Sequence, residues 1–378
     1  MFIAYLGKMK ILLIEPFFTG SHQQWAEGFQ KHSSHDVQLL TLSGQFWKWR
    51  MHGGAITLAN QFLAKKQQID LILASDMLDL NLFLSLTRKQ TANIPTAIYF
   101  HENQLAYPWS PADADVSLKR DQHYMFINYA SALTADVLFF NSQYHLDAFS
   151  NSLPEFLKKF PDHKNLESIE TIRNKCKVLY LGMDLQAIRD LNPQIVEPPK
   201  RAVIGWNHRW EYDKNPEGFF QTLFALDDRG IDFKLVVLGE QFKSSPKIFN
   251  EAKERLADKM LHWGYAESYA EYIHWLYQID VLPVTAKQDF FGGSVVEAMA
   301  CDCVPLLPKR LAYPEHLPEA FHPTYFYENE TDLLKRLQGI CFHVGLLRKQ
   351  NIHRYVMRYD WQNIIREYDS AFEDVLNG

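Results

Sequence analysis

Short apolar runs alternate with amphipathic stretches along almost the whole chain. In the first half, Ile11–Glu15, Val37–Thr41, Leu71–Ala74, Ala97–Phe100, Val137–Asn141 and Val178–Tyr180 are apolar at successive positions and too short for helices. Strands buried on both faces read this way. Helical stretches such as Gln23–His32 and Leu80–Gln90 lie between them. The alternation stops at Leu191–Lys200, where Pro193, Pro198 and Pro199 break any periodic element. It then restarts, with strands expected at Ala202–Trp206, Phe233–Leu238, Leu261–Trp263, Val281–Val284 and Val304–Leu307. The helices between them are expected at Asn215–Asp227, Lys247–Asp258, Tyr269–Gln278 and Ser294–Ala300. A last helix, Trp361–Asn377, carries Trp361, Ile364, Ile365, Tyr368 and Phe372 at helical spacing. The class predicted is α/β, with two doubly wound, Rossmann-like domains facing across a cleft and ligands at the carboxyl ends of the strands. The expected divisions are 1–195, 196–358 and a terminal helix over 359–378.

Composition narrows the class. At 378 residues and 47% hydrophobic, the chain suits two ordinary folded domains. No apolar run approaches the ~20 residues of a spanning helix, and the first ten residues lack a signal-peptide pattern, so a cytoplasmic protein without a membrane anchor is expected. Residues 1–8 read as a leader of little structural value. Cys176, Cys301, Cys303 and Cys341 are too scattered for a disulfide framework. Cys301 and Cys303 lack a second ligand pair, so no metal site is expected. Net charge is −6, which provides no bulk attraction for polyanions, and the negative excess lies in the second half.

Candidate chemistry sits where strands end. Asp289-Phe290-Phe291-Gly292-Gly293-Ser294 follows a strand and opens a helix that carries Glu297. A helix N-terminus behind two glycines suits a diphosphate or sugar hydroxyls. Arg209 and Lys214 follow the first strand of the second half and place a forked donor and a point charge at the same sheet edge. In the first half, Gly20, Ser21 and His22 follow strand one, and His101-Glu102 follows strand four. Glu102 reads either as a base or nucleophile or as a structural partner of His101. The first turn lacks a full G-x-G-x-x-G, which disfavours a dinucleotide cofactor. Trp47-Lys48-Trp49-Arg50 interleaves aromatic rings with cations, the pairing that stacks bases and meets phosphates. Lys119 and Arg120, with His123, Tyr124, Lys158 and Lys159, are weaker candidates for the same surface.

The Asp289…Glu297 spacing resembles the E-x7-E signature of retaining GT-B glycosyltransferases of family 4, with Asp in place of the first Glu. Arg209 and Lys214 resemble that family's diphosphate-binding pair. The strings EPFFTGSH, YFHENQLAYP, HRWEYDKNPEGFF and TAKQDFFGGSVVEA resemble, more narrowly, the tRNA-queuosine α-mannosyltransferases, over the chain from Met9 to the last helix. This resemblance implies a GT-B fold, GDP-mannose as co-substrate with no bound cofactor, and as acceptor the cyclopentene diol of queuosine in the anticodon loop of tRNA-Asp. It assigns Arg209 and Lys214 to the diphosphate, Glu297 to the ribose, and Asp289 with the Gly292 and Gly293 amides to the mannose. His101 would position sugar or acceptor, and Gly20, Ser21 and His22 would close over the phosphates. The last helix would cross back to the first domain as a hinge for closure. Two other readings stand beside it: a family-4 transferase using a lipid-linked or polysaccharide acceptor, with Leu153–Phe160 as a membrane-surface helix, and a non-catalytic RNA- or nucleotide-binding relative.

Overall fold

The computed structural model describes residues 7–65, 67–110, 113, 115, 122–191, 193, 200–241, 245–347 and 350–377, with the backbone alone at 346 and 347. It forms two compact units. One comprises residues 1–183 with 361–378, the other residues 184–360.

The first unit is a parallel six-stranded sheet, β1 (Lys10–Phe18), β2 (Asp36–Ser43), β3 (Leu71–Ser75), β4 (Thr96–Phe100), β5 (Val137–Phe140) and β6 (Cys176–Val178), in the order β2-β1-β3-β4-β5-β6. Strands β3 and β4 are buried at every position, as expected of parallel strands covered on both faces. The covering helices are α1 (Gly20–His32), α2 (Trp47–Leu63), α3 (Leu80–Thr91), α4 (Gln122–Thr134), α5 (Gln143–Lys158) and α6 (Ser168–Arg173). Side-chain caps start two of them: Asp79 accepts from the Leu82 amide and Ser142 from that of His145. Strand β6 ends at Val178, the first residue of the expected Val178–Tyr180. The Leu179 and Tyr180 carbonyls instead accept from the Tyr99 and Tyr368 hydroxyls. Leu153–Phe160, the segment considered as a membrane-surface helix, includes the end of α5, and its Leu153, Phe156 and Leu157 are buried in the core of this unit. No described helix is long and apolar enough to cross a membrane.

The second unit begins with α7 (Leu185–Leu191), which buries Leu185 and Ile188. Arg189 on α7 donates to the Ala300 carbonyl and to Asp302 of the same unit. That anchorage is why the division falls at Met183/Asp184 rather than at 195/196, a point that lies outside the described residues. A parallel sheet follows, β7 (Ala202–Trp206), β8 (Phe233–Leu238), β9 (Met260–Gly264), β10 (Val281–Pro283), β11 (Val304–Pro308) and β12 (Phe326–Tyr327), in the order β12-β11-β10-β7-β8-β9. Its helices are α8 (Pro216–Asp228), α9 (Ile248–Arg255), α10 (Tyr269–Gln278), α11 (Gly293–Ala300), α12 (His322–Tyr325), α13 (Glu330–Phe342), α14 (Val344–Leu347) and α15 (His353–Val356). The strand order reverses beside β1 in one sheet and beside β7 in the other. Loops leaving those strands therefore open at the switch points where doubly wound sheets take ligands.

The terminal helix, α16 (Trp361–Asn377), packs on the first unit through Trp361, Ile364, Tyr368, Phe372 and Val375. The Trp361 indole lies so close to Gly28 and Gly182 that a Cβ at either would sit 2.0 or 2.5 Å from ring atoms. Only hydrogen fits there. Gly28→Ala is expected to lower the stability of this unit by about 1–3 kcal/mol, the usual cost of forcing an atom into a packed interior. Gly339→Ala on α13, where a Cβ meets nothing within 4 Å, is expected to be neutral or stabilising. Urea melts of both variants check this, and an unchanged midpoint for Gly28→Ala would mean the helix docks otherwise.

Candidate active site

At the carboxyl edge of the second sheet two loops are stitched together. The chain leaving β7 is held by the Trp206 indole, which donates to the His208 carbonyl at 2.8 Å. Asn207 Nδ2 donates to the Ser294 carbonyl at 2.7 Å, and His208 Nδ1 lies 3.0 Å from Ser294 Oγ. The loop then makes one 3-10 turn, Tyr212–Lys214, passes through a left-handed Asn215, and starts α8 with Pro216 at its first position. That turn buries Lys214, whose side chain is 11% exposed. Its Nζ donates to the Gln288 carbonyl at 2.8 Å and stands 3.2 Å from Asp213 and 3.5 Å from Asp289.

Charge balance follows from this packing. Burial penalises the Lys214 ammonium, yet Asp289 and Asp213 outweigh the penalty and hold its pKa above the ordinary value. Burial likewise opposes the Asp289 charge, but Lys214, His208 and the Tyr313 hydroxyl at 2.8 Å bring that carboxyl below the usual carboxylate range. Burial and then the Lys214 charge push His208 down to about 4, so its ring is neutral at pH 7. Arg209 differs from Lys214: its side chain is 53% exposed, with its guanidinium 3.2 Å from Glu211. The forked donor is thus at the surface and the point charge inside.

Gly292 precedes α11 at φ +88°, the left-handed region that glycine enters without strain. No side chain caps this helix and its first turn holds no acid, so the amides of Gly293 and Ser294 face outward with the positive end of the dipole. Phe290, two residues before Gly292, is buried. One turn on, Glu297 accepts from Tyr272 at 2.8 Å and lies 3.5 Å from the Tyr269 hydroxyl. Burial pushes its carboxyl up to about 7 against those hydrogen bonds. Three buried polar atoms on the same two loops, Asn207 Oδ1, His208 Nε2 and Gln288 Nε2, have no hydrogen-bond partner among the described residues. Groups of this kind are costly to bury unless something bonds them.

In the first unit, Glu15 near the end of β1 is fully buried. It accepts from the Phe17 amide at 2.7 Å and lies 2.9 Å from His22 Nδ1 on α1. Burial opposes a charge on His22, but Glu15 and, more distantly, Asp76 and Glu102 raise its pKa to about 9. The His22 ring packs on His101 with centroids 4.2 Å apart. Burial and the His22 charge push His101 well below its ordinary value, and its Nε2 has no hydrogen-bond partner among the described residues. The His101 amide is fixed by Asp76 at 2.8 Å and its carbonyl by Asn141 at 2.9 Å. Burial holds the Asp76 carboxyl well above the carboxylate range. Glu102 is half-buried and accepts from Gln104 Nε2 at 3.0 Å. Gly20 and Ser21 are exposed at the start of α1, where no side chain caps the amides. Glu15, His22 and His101 are, among the described residues, the group whose ligand atoms lie close enough to share a metal ion, within 4.8 Å of one another. The Glu15–His22 bond already pairs two of them.

Trp47 to Arg50 open helix α2 and form no loop, and the two cations and two indoles split by role. Trp47 packs on Tyr124 and Trp109 with centroids 5.1 and 6.3 Å apart. Lys48 is paired with Asp113 at 2.7 Å and Asp115 at 2.5 Å. Both are thus engaged by side chains of the same unit. Trp49 stays exposed, and Arg50 donates to Ser43 O and Oγ. Lys119 and Arg120 lie outside the described residues. Sequence reasoning missed His208, Asp213, Gln288, Tyr272 and Tyr313. The first two stand inside the same HRWEYDK string as Arg209 and Lys214, and that adjacency was the available signal.

Comparison with known proteins fits this geometry. Residues 10–183 match the family model described as tRNA-queuosine alpha-mannosyltransferase N-terminal, and residues 188–336 match glycosyl transferases group 1. The chain is 33% identical over 352 residues to the tRNA-queuosine alpha-mannosyltransferase of Drosophila melanogaster, covering 91% of this chain and 90% of that protein. A GDP-mannose:cellobiosyl-diphosphopolyprenol alpha-mannosyltransferase of Xanthomonas oryzae pv. oryzae is 20% identical over 211 residues, 54% of each chain. Among solved structures, Anabaena HepE in complex with UDP superposes with a TM-score of 0.65 at 15% identity, over 97% of this chain and 100% of that one. A glycosyltransferase from Rickettsia africae gives 0.68 at 15% identity, over 98% and 100%. These two neighbours show the fold, GT-B; the near full-length relative shows the family. With a group 1 glycosyltransferase unit behind a matching N-terminal unit, the chain belongs to the tRNA-queuosine alpha-mannosyltransferase family.

Proposed function

We propose that this protein transfers mannose from GDP-mannose, with retention, to the cyclopentene diol of queuosine in the anticodon loop of tRNA-Asp. The observation that carries the donor half is the buried Lys214 beside Asp289 at the open N-terminus of α11. A cation kept charged inside a protein, next to uncapped amides, is built to meet an anion. Lys214 and the more exposed Arg209 neutralise the diphosphate and stabilise it as it leaves, an electrostatic effect preorganised before reaction. Asp289 and the Gly292 and Gly293 amides hold the mannose hydroxyls, with Ser294 and Phe290 shaping that turn. Glu297 takes the ribose diol. The buried acceptor and donor atoms of Asn207, His208 and Gln288 find partners on the same donor.

The first unit takes the acceptor. His101 Nε2 is neutral and aimed by its fixed backbone, so it bonds a hydroxyl without carrying charge. Gly20, Ser21 and the charged His22 add amides and a cation for a phosphate oxygen. Glu102, tied to Gln104, positions the His101 segment. Departure and attack then occur on one face of the sugar, and the leaving phosphate takes the proton of the attacking hydroxyl.

The test is a transfer assay on queuosine-containing tRNA-Asp with GDP-mannose or UDP-glucose in EDTA, read by nucleoside mass. A hexose added only from GDP-mannose, with EDTA present, is the expected outcome. Donor binding or slow hydrolysis without transfer would discard the tRNA acceptor and turn the search to lipid-linked or polysaccharide acceptors.

A further inference from the structure

Three features at the start of α2 work against stability, and all three serve to hold aromatic rings in solvent. Phe46, the residue before the helix, adopts φ +55°, a left-handed conformation that bulky side chains rarely enter. Its ring gains nothing from packing in return, being 75% exposed. Trp49, three residues on in the first turn of the helix, is 63% exposed. Its indole lies flat over Gly53, where a Cβ would sit 2.6 Å from Cζ2. A glycine in mid-helix is unfavourable, and here it fixes the plane of an exposed ring. Local strain that packing does not repay marks a functional surface.

The surroundings place this surface at the ligand edge of the first sheet. The loop from β2 runs against Thr19, so that a Cβ on Gly44 would meet Thr19 Cγ2 at 2.1 Å. Thr19 immediately precedes Gly20 and Ser21. Arg50, next in sequence to Trp49, is held by two hydrogen bonds to Ser43. Ile56 continues the exposed face, but Met51, Ala55, Leu58, Ala59 and Phe62 bury the opposite face of α2 in its own unit. A helix so held cannot sink into a bilayer as surface-active helices do.

We infer that Phe46 and Trp49 form a stacking platform for unpaired bases of the tRNA anticodon loop, with Arg50 at the adjoining phosphate. The inference rests on the proposed acceptor. Flat rings take any base through its π-face, and recognition of single-stranded RNA commonly works this way. Queuosine is thereby presented with its neighbours splayed and held.

The experiment compares wild type with Phe46→Asn/Trp49→Ala and with Trp49→Phe. Asn tolerates the left-handed conformation, so the double variant keeps its fold. The readouts are KM for queuosine tRNA, KM for the free queuosine nucleoside, Kd for an anticodon stem-loop and Kd for GDP. The double variant is expected to raise the tRNA KM and stem-loop Kd roughly ten- to a hundredfold, with GDP affinity unchanged and much of the loss restored in Trp49→Phe. A wild type that leaves queuosine tRNA unmodified overturns the acceptor reading and the platform with it. A wild type that modifies it, beside a double variant with unchanged tRNA KM, overturns the platform alone. Equal losses on tRNA and nucleoside would make the rings structural. Loss of binding to phosphatidylglycerol vesicles with tRNA KM unchanged would make the face a lipid contact.

Discussion

Lys214→Ala lowers kcat/KM for transfer by about a thousandfold or more, and it weakens GDP binding far more than guanosine binding. The magnitude follows from removing a preorganised charge where negative charge develops, since a single lost donor at such a position already costs ~10²–10³ in rate. The selectivity follows from geometry: Nζ sits among Asp213, Asp289 and the Gln288 carbonyl at the sheet edge, on the loop that ends at the N-terminus of α8. A second effect comes with the first. Without Lys214 the buried carboxylates of Asp213 and Asp289 lose the cation they share, and breaking buried pairs costs ~3–5 kcal/mol. The variant is therefore expected to melt earlier yet still cooperatively. Lys214→Arg keeps the charge, restores much of the stability, and recovers only part of the rate because a planar fork does not fit a site built for a point charge. Equal weakening of GDP and guanosine by Lys214→Ala would remove the diphosphate role. Loss of cooperative melting would make Lys214 a structural residue.

How much of this was legible in the chain depends on which force set each element. Ala202–Trp206, Phe233–Leu238, Tyr269–Gln278 and Trp361–Asn377 are found where the apolar pattern puts them. Burial on both faces of a strand, or on one stripe of a helix, writes itself directly into sequence. The short β12 (Phe326–Tyr327) carried no such signal, because two residues have no period. Helix α2 was hidden for another reason. Its WKWRMHGG start mixes good helix formers with two tryptophans, a histidine and two glycines, and tertiary packing of Met51, Ala55 and Leu58 outweighs the glycines' local preference. The same packing decided the fate of Trp47 and Lys48, whose partners Trp109, Asp113 and Asp115 lie about sixty residues away.

The candidate site divides similarly. Residue types at strand ends marked Arg209, Lys214, Asp289 and Glu297, since chemistry at a sheet edge follows from topology. What could not be read was the difference between Arg209 at the surface and Lys214 inside, which is created by one turn of 3-10 helix. The shorter Asp289 finds its reason only in three dimensions: its two oxygens are engaged by Lys214 and Tyr313, at 3.5 and 2.8 Å.

Glu297 gives the second large effect, and it carries a pH signature. Its carboxyl, pushed up to about 7 by burial, is a mixture of acid and carboxylate near neutrality. A ribose diol donates two hydrogen bonds to a carboxylate, and bonds to a charged group contribute ~1.5–3 kcal/mol each when formed. The ionised form is then the binding form. Donor affinity should rise as pH increases from about 6, level off above about 8, and fall tenfold per unit well below the pKa of the free protein. The sign would reverse if the neutral acid bound the donor. Glu297→Gln keeps the shape and one acceptor but removes the charge, so its GDP-mannose Kd should be weaker and flat with pH. Glu297→Ala should lower kcat/KM by about a hundredfold, and it frees the Tyr272 hydroxyl that now donates to this carboxylate at 2.8 Å. Tyr272→Phe separates the two contributions: it leaves the ribose contact and removes a hydrogen bond that favours the charged form, so the inflection should move to higher pH. Calorimetric titrations of GDP-mannose, whose diphosphate has no ionisable proton in this window, from pH 5.5 to 9 read all four proteins. A wild-type Kd that does not change across that range would show that the nucleotide does not meet Glu297 in its ionised form.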